Sequence, residues 1–123
     1  MIKDLYNVLI MVDDLDAMVK FYKGTLKLPL ERSGDRFALF TLSKTGRLYL
    51  QKEKADEGVQ GKAGTKTSRV GFGLTVDDVD AVYKLLKGKL EFPRPPADAD
   101  WGPRTVTCFD PEGNRIEFLQ LKK

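Results

Sequence analysis

Apolar runs broken by polar clusters divide the chain into two copies of one pattern. Residues 5–12 form a mostly apolar run with polar flanks, which predicts a buried strand. Leu15, Met18, Val19 and Tyr22 then recur at helical spacing and predict a helix with one face on a sheet. Asp13 or Asp14 is placed to cap that helix, and Asp16 falls in its first turn, where the dipole favours negative charge. Lys23-Gly24 reads as its stop. Strand-like runs follow at 28–31, 36–42 and 47–52, with Ser33-Gly34-Asp35 and Ser43-Lys44-Thr45-Gly46 as turns between them.

The second half repeats these signals. Val12-Asp13-Asp14-Leu15-Asp16-Ala17 returns as Val76-Asp77-Asp78-Val79-Asp80-Ala81, 64 residues on. In the same register Lys20 falls on Lys84, Lys23-Gly24 on Lys87-Gly88, Leu26 on Leu90 and Pro29 on Pro93. A self-similarity of this length predicts two copies of one supersecondary unit. The second copy reads as a strand at 70–76, a helix striped by Val79, Val82, Tyr83 and Leu86, and strands at 89–92, 104–109 and 114–121. Asp110-Pro111-Glu112-Gly113 supplies the last hairpin turn. Each half therefore predicts a β-α-β-β-β order, giving an α+β fold of curved mixed sheets. We expect a single domain over 1–123, with module one at about 1–52, a polar linker at about 53–68 and module two at about 69–123. Such a linker allows the modules to pair within one chain or between two.

Composition narrows the setting. The chain is 41% hydrophobic and 32% charged, and its net charge is +3. The acidic residues are interspersed with the basic ones and no aromatic-interleaved basic stripe occurs, so neither nucleic acid nor membrane is an expected partner. No run approaches the roughly 20 apolar residues of a membrane span. The N-terminal residues lack the pattern of a secretory signal. One cysteine, Cys108, excludes an intrachain disulfide and suits a reducing compartment. A cytoplasmic location is expected. There is no histidine in the chain, so no serine has a histidine to activate it.

Three segments carry a family resemblance: the repeated Val-Asp-Asp-Leu/Val-Asp-Ala; Phe21-Tyr22-Lys23-Gly24-Thr25-Leu26-Lys27-Leu28; and Trp101-Gly102-Pro103-Arg104 with Phe109-Asp110-Pro111-Glu112-Gly113-Asn114-Arg115-Ile116-Glu117. With paired β-α-β-β-β modules, the chain resembles the vicinal oxygen chelate superfamily of glyoxalases, bleomycin resistance proteins and extradiol dioxygenases. The resemblance implies a fold that curves around a cleft, and in metal-dependent members each half supplies ligands from its first and last strands. Carried onto this chain, the first-strand positions lie six residues before Asp13 and Asp77, at Asn7 and Gly71. The last-strand positions lie four residues after the turn glycines Gly46 and Gly113, at Leu50 and Glu117.

Of those four only Glu117 is a strong ligand type. A catalytic divalent metal generally needs three His, Glu, Asp or Cys ligands, so no metal and no other cofactor is expected. Strand alternation makes Asn7, Leu9, Met11, Arg69, Gly71, Gly73, Arg115 and Glu117 candidate walls of a ligand site, with Thr75 and Leu119 beside them. The glycines leave room for a ligand, or for Phe or Met side chains from across a cleft. Glu117 is a candidate general base, or the partner of Arg69 or Arg115. Trp101 offers a stacking surface, or anchors its loop in the core, and Asp98 and Asp100 near it are expected to be solvated. The resulting expectation is a homodimeric, metal-independent protein that binds a small molecule, sequestering an antibiotic or an aromatic or anionic metabolite. A lyase, isomerase or dioxygenase-like enzyme with an atypical metal site, using Glu117, is one alternative. A non-catalytic interaction module is the other.

Overall fold

The computed structural model describes residues 1, 3, 5–52 and 70–121, so Arg69 and the expected linker lie outside the described residues. The chain separates into two compact units, Met1–Thr67 and Ser68–Lys123. In the first, β1 (Val8–Val12) leads to α1 (Leu15–Val19), then to β2 (Leu30–Ser33), β3 (Phe37–Thr41) and β4 (Arg47–Lys52). The sheet order is β1-β4-β3-β2, with β1 parallel to β4 and the other pairs antiparallel. The second unit holds β5 (Gly71–Thr75), α2 (Val79–Leu86), β6 (Ala97–Asp98), β7 (Arg104–Phe109) and β8 (Arg115–Gln120). Its order, β5-β8-β7-β6, repeats that of the first. The fold is α+β, two mixed four-stranded sheets with one helical segment each.

The choice between adjacent aspartates falls on the second of each pair. Asp14 accepts from the Ala17 N–H at 3.0 Å, and Asp78 accepts from Asp80 and Ala81 at 3.1 and 3.2 Å. Each cap satisfies helix-terminal N–H groups that have no partner in the helix. Leu15, Met18, Phe21 and Tyr22 are buried on the first sheet with Ile10, Val12, Ala38, Phe40, Leu48 and Leu50. In the second unit Val79 and Leu86 face a buried layer of Val106, Cys108, Ile116 and Phe118. Burial pushes the Cys108 thiol up to about 12, so almost no reactive thiolate exists at neutral pH.

Two expected elements differ. Gly24 does not stop the first helix. The chain widens into a π-helical turn over Lys20–Thr25, in which the Leu26 N–H reaches back to the Phe21 carbonyl at 3.0 Å. The left-handed residue that follows is Lys27, at φ +61°, where glycine is the residue with the least steric cost. The strand expected at 89–92 is absent. Leu90 still bonds back to the Leu86 carbonyl, and the prolines at 93, 95 and 96 have no N–H to add to a ladder. The edge strand forms later, as β6.

Two polar networks hold the second unit. Arg104 grips Asp80 through Nε at 2.8 Å and Nη2 at 3.0 Å, and reaches Asp98 at 3.4 Å. Asp98 is exposed, as expected, and is also partnered, so α2 is tied to β7 and β6. The other network surrounds the β7–β8 turn, where Gly113 takes φ +87°. Asp110 Oδ1 accepts from the N–H groups of Glu112 and Asn114, both at 2.9 Å, and Oδ2 accepts from Asn114 Nδ2 at 2.8 Å. Asn114 Oδ1 accepts from the Val70 N–H at 3.0 Å, and the Arg115 N–H donates to the Val70 carbonyl at 2.9 Å.

Replacing Asn114 by Ala strands buried polar groups of Asp110 and Val70, and we expect a loss of about 2–3 kcal/mol. Urea unfolding followed by far-ultraviolet circular dichroism measures it, and a loss under about 1 kcal/mol contradicts the account. The hydrogen bonds from Arg104 hold the Asp80 carboxyl below its ordinary 3.8. A depressed folded pKa stabilises above the unfolded value and is lost as pH falls through the folded one. The stability lead of the wild type over Asp80→Asn at pH 6 should therefore shrink once pH drops below 3.8. Parallel urea titrations across that range check the sign.

Candidate functional site

Alternation along β7 and β8 sorts the second sheet into two faces. Val106, Cys108, Ile116 and Phe118 turn toward α2 and are buried. Thr105, Thr107, Phe109, Arg115, Glu117 and Leu119 turn the other way. The register sets Gly71 beside Arg115, Gly73 beside Glu117 and Thr75 beside Leu119, with Thr107 flanking Glu117 from β7. On this face Arg115 Nη2 lies 3.6 Å from Glu117 Oε2, and the Glu117 side chain is 25% exposed. Glu117 thus has the partner expected for a carboxylate half out of water.

A cavity of about 520 Å³ opens on this face. Arg115, Glu117, Thr107 and Phe109 form its sheet side. The segment from Pro93 to Ala99, which brings Arg94 and Asp98, forms its other wall. The volume falls in the range of small-molecule sites, and the lining joins apolar surface to a few charged groups, as such sites do.

The other expected site residues are placed as follows. Gly71 and Gly73 do not open empty space. A Cβ on Gly71 would rest on Arg115 Cβ at 3.5 Å, and one on Gly73 would meet Leu119 Cδ1 at 2.5 Å. Side chains from the adjacent strand lie across both glycines, where the sequence left open room for a ligand or for Phe or Met side chains. Trp101 neither lines this cavity nor anchors a core; it is 66% exposed, in a turn where Gly102 N–H bonds to the Ala99 carbonyl at 3.1 Å. Asn7 precedes β1 and is half-buried. Leu9 and Met11 lie on the face of the first sheet turned from α1, beside Tyr49 and Gln51 of β4. Leu50 does not occupy the position equivalent to Glu117: it is fully buried on the helix side. Because Leu9 pairs with Tyr49 as Gly73 pairs with Glu117, Tyr49 is the counterpart. It stacks on Phe37 at 5.8 Å.

Arg94, Thr107 and Phe109 were not among the expected residues. Alternation from Glu117 through its neighbour strand could have found Thr107 and Phe109. Nothing in the prolines' composition pointed to Arg94.

The donors present do not fit the divalent metal that the family resemblance implies. The four equivalent positions hold Asn7, Tyr49, Gly71 and Glu117, and among the described residues no three His, Cys, Asp or Glu side chains are grouped to hold an ion. The Arg115 guanidinium already stands at the one carboxylate. Among the described residues no helix is long and apolar enough to cross a membrane.

Comparison with known proteins agrees with the geometry. Uncharacterized protein YraH of Bacillus subtilis (strain 168) is 30% identical over 125 residues, covering 95% of this chain and 98% of that one. A glyoxalase/bleomycin resistance protein/dioxygenase from Nocardioides superposes with a TM-score of 0.80 at 25% identity, covering 100% of this chain and 86% of that one. Lactoylglutathione lyase from Agrobacterium tumefaciens shares the fold with a TM-score of 0.76 at 20% identity, covering 98% of this chain and 95% of the other. The sequence pattern of one family matches residues 5–118, and the chain belongs to the Glyoxalase/Bleomycin resistance protein/Dioxygenase superfamily.

Proposed function

We propose that this chain is a metal-independent binding protein for a small aromatic or anionic molecule, acting by sequestration in the cytoplasm. The observation that carries the reading is the cavity of the second unit, with the Arg115–Glu117 pair on its sheet side and Arg94 on its wall. An anionic group gains charge-assisted hydrogen bonds from a guanidinium. Pro93, Pro95 and Phe109 offer a flat, apolar surface to the rest of the ligand. Sequestration needs complementarity alone, and the chain's donors supply that without a metal. A role for Glu117 as general base is less well supported, because its carboxylate is already engaged by the Arg115 guanidinium 3.6 Å away.

Calorimetry with 2-naphthoate tests the reading. Binding to the wild type should weaken about tenfold or more in Arg115→Ala, the scale of one lost charge-assisted bond. Equal affinity in both proteins contradicts it. So does stoichiometric divalent metal in protein purified without chelator that disappears in Glu117→Ala.

We also propose that the protein is a homodimer, since the family resemblance implies modules that commonly pair across chains. Sedimentation at micromolar concentration should give twice the 13.9 kDa of one chain. A single species at 13.9 kDa refutes it.

A further inference from the structure

A second cavity lies at the C-terminal end of α2. Tyr83, Lys87 and Gly88 line it from the helix side, and Leu90 and Phe92 from the segment that follows. Its volume is about 830 Å³. Tyr83 and Phe92 meet edge to face at 5.2 Å, and Lys87 Nζ stands 5.8 Å from the centre of the Tyr83 ring. Pro93 and Phe109 line this cavity and also the one described above. Phe109 is 46% exposed at the end of β7. The two cavities therefore share a rim. Arg94, Asp98, Arg115 and Glu117 bring charge to the first, while the second sets the rings of Tyr83 and Phe92 beside Lys87 and Glu91.

We propose that the ligand is an elongated amphiphile. Its anionic head lies at Arg94 and Arg115, and an aryl or alkyl tail crosses Phe109 onto Tyr83 and Phe92. This rests on the binding role proposed above and specifies the ligand class. Apolar surface removed from water supplies the tail's affinity, and the Tyr83–Phe92 pair presents ring edges and faces to it. Half-exposed Phe109 gains cover from a tail passing over it. A compact anion fills only the first cavity.

Gly88 permits a clean test. A Cβ built there meets nothing within 4 Å, and its φ is not in the left-handed region. Gly88→Glu and its uncharged counterpart Gly88→Gln therefore add a side chain at the lining of the second cavity with no clash at Cβ. Calorimetry on the full chain compares 2-naphthoate with 6-hexyl-2-naphthoate, which carries the same head and an added tail. We expect the hexyl compound to bind the wild type at least about tenfold tighter, as burial of about two methylenes or more provides. Both Gly88 variants should lose that advantage and bind 2-naphthoate within about twofold of the wild type, which also reports that they are folded. Binding of 2-naphthoate with no gain from the tail overturns the elongated ligand and leaves the binding role standing. A gain that survives both Gly88 variants overturns it likewise. Failure of both compounds to bind the wild type overturns both proposals.

Discussion

The second unit depends on one buried polar contact, between Asp110 and Asn114. These are the two buried polar side chains among the described residues, and each completes the other's hydrogen bonding. Asp110 closes the β7–β8 turn on its own backbone, while Asn114 reaches outward to the Val70 N–H. The turn thereby fixes where β5 begins relative to β8. Register follows: Gly71 must stand beside Arg115, and Gly73 beside Glu117. In a sheet a slip of one residue moves a whole set of side chains to the other face. Without the clamp, Arg115 and Glu117 could turn toward α2, where two charges would displace Ile116 and Phe118.

The same one-residue rule explains which part of the site the sequence concealed. The repeat, the aspartate caps and the faces of β5 and β8 are all readable from periodicity and spacing. Leu50 is not placed by that logic, because its position is counted from a turn glycine. Gly113 sits inside a five-residue turn at positive φ, two residues before β8 begins, whereas Gly46 directly precedes β4. The glycines are not equivalent. Counting from them shifts the first module by one residue, and one residue separates buried Leu50 from Tyr49 on the opposite face. Register between strands, which only the fold supplies, corrects it.

The cavity also arises where the two copies diverge. Leu9 and Gly73 are 64 residues apart, but their partners Tyr49 and Glu117 are 68 apart. Pro29 and Pro93 still match at the shorter spacing. The four extra residues of the second copy therefore lie after Pro93 and before β8. They fall in the proline-rich segment ahead of β7, since Thr107 pairs with Glu117 as Leu39 pairs with Tyr49. Part of that segment, from Pro93 to Ala99, walls the cavity. Prolines suit such a wall, since each has a fixed φ and no N–H left to satisfy. The prolines stand off the sheet without a ladder, while β6 and the Arg104–Asp98 pair tie the segment's far end to β7.

Charge decides what the resulting space can hold. Glu117 stands where a metal-dependent relative would place a ligand, yet the cation beside it is Arg115, held on the same strand two residues away. A guanidinium offers directional N–H donors and no vacant coordination position. Exchanging a metal for it keeps the carboxylate neutralised but removes the Lewis acid. Recognition by such a pair favours a partner that brings its own acceptors and competes with Glu117 for the guanidinium. That competition limits affinity for the head group alone. Tight binding must therefore draw on apolar surface, and Tyr83 and Phe92 add such surface past Phe109, across the shared rim.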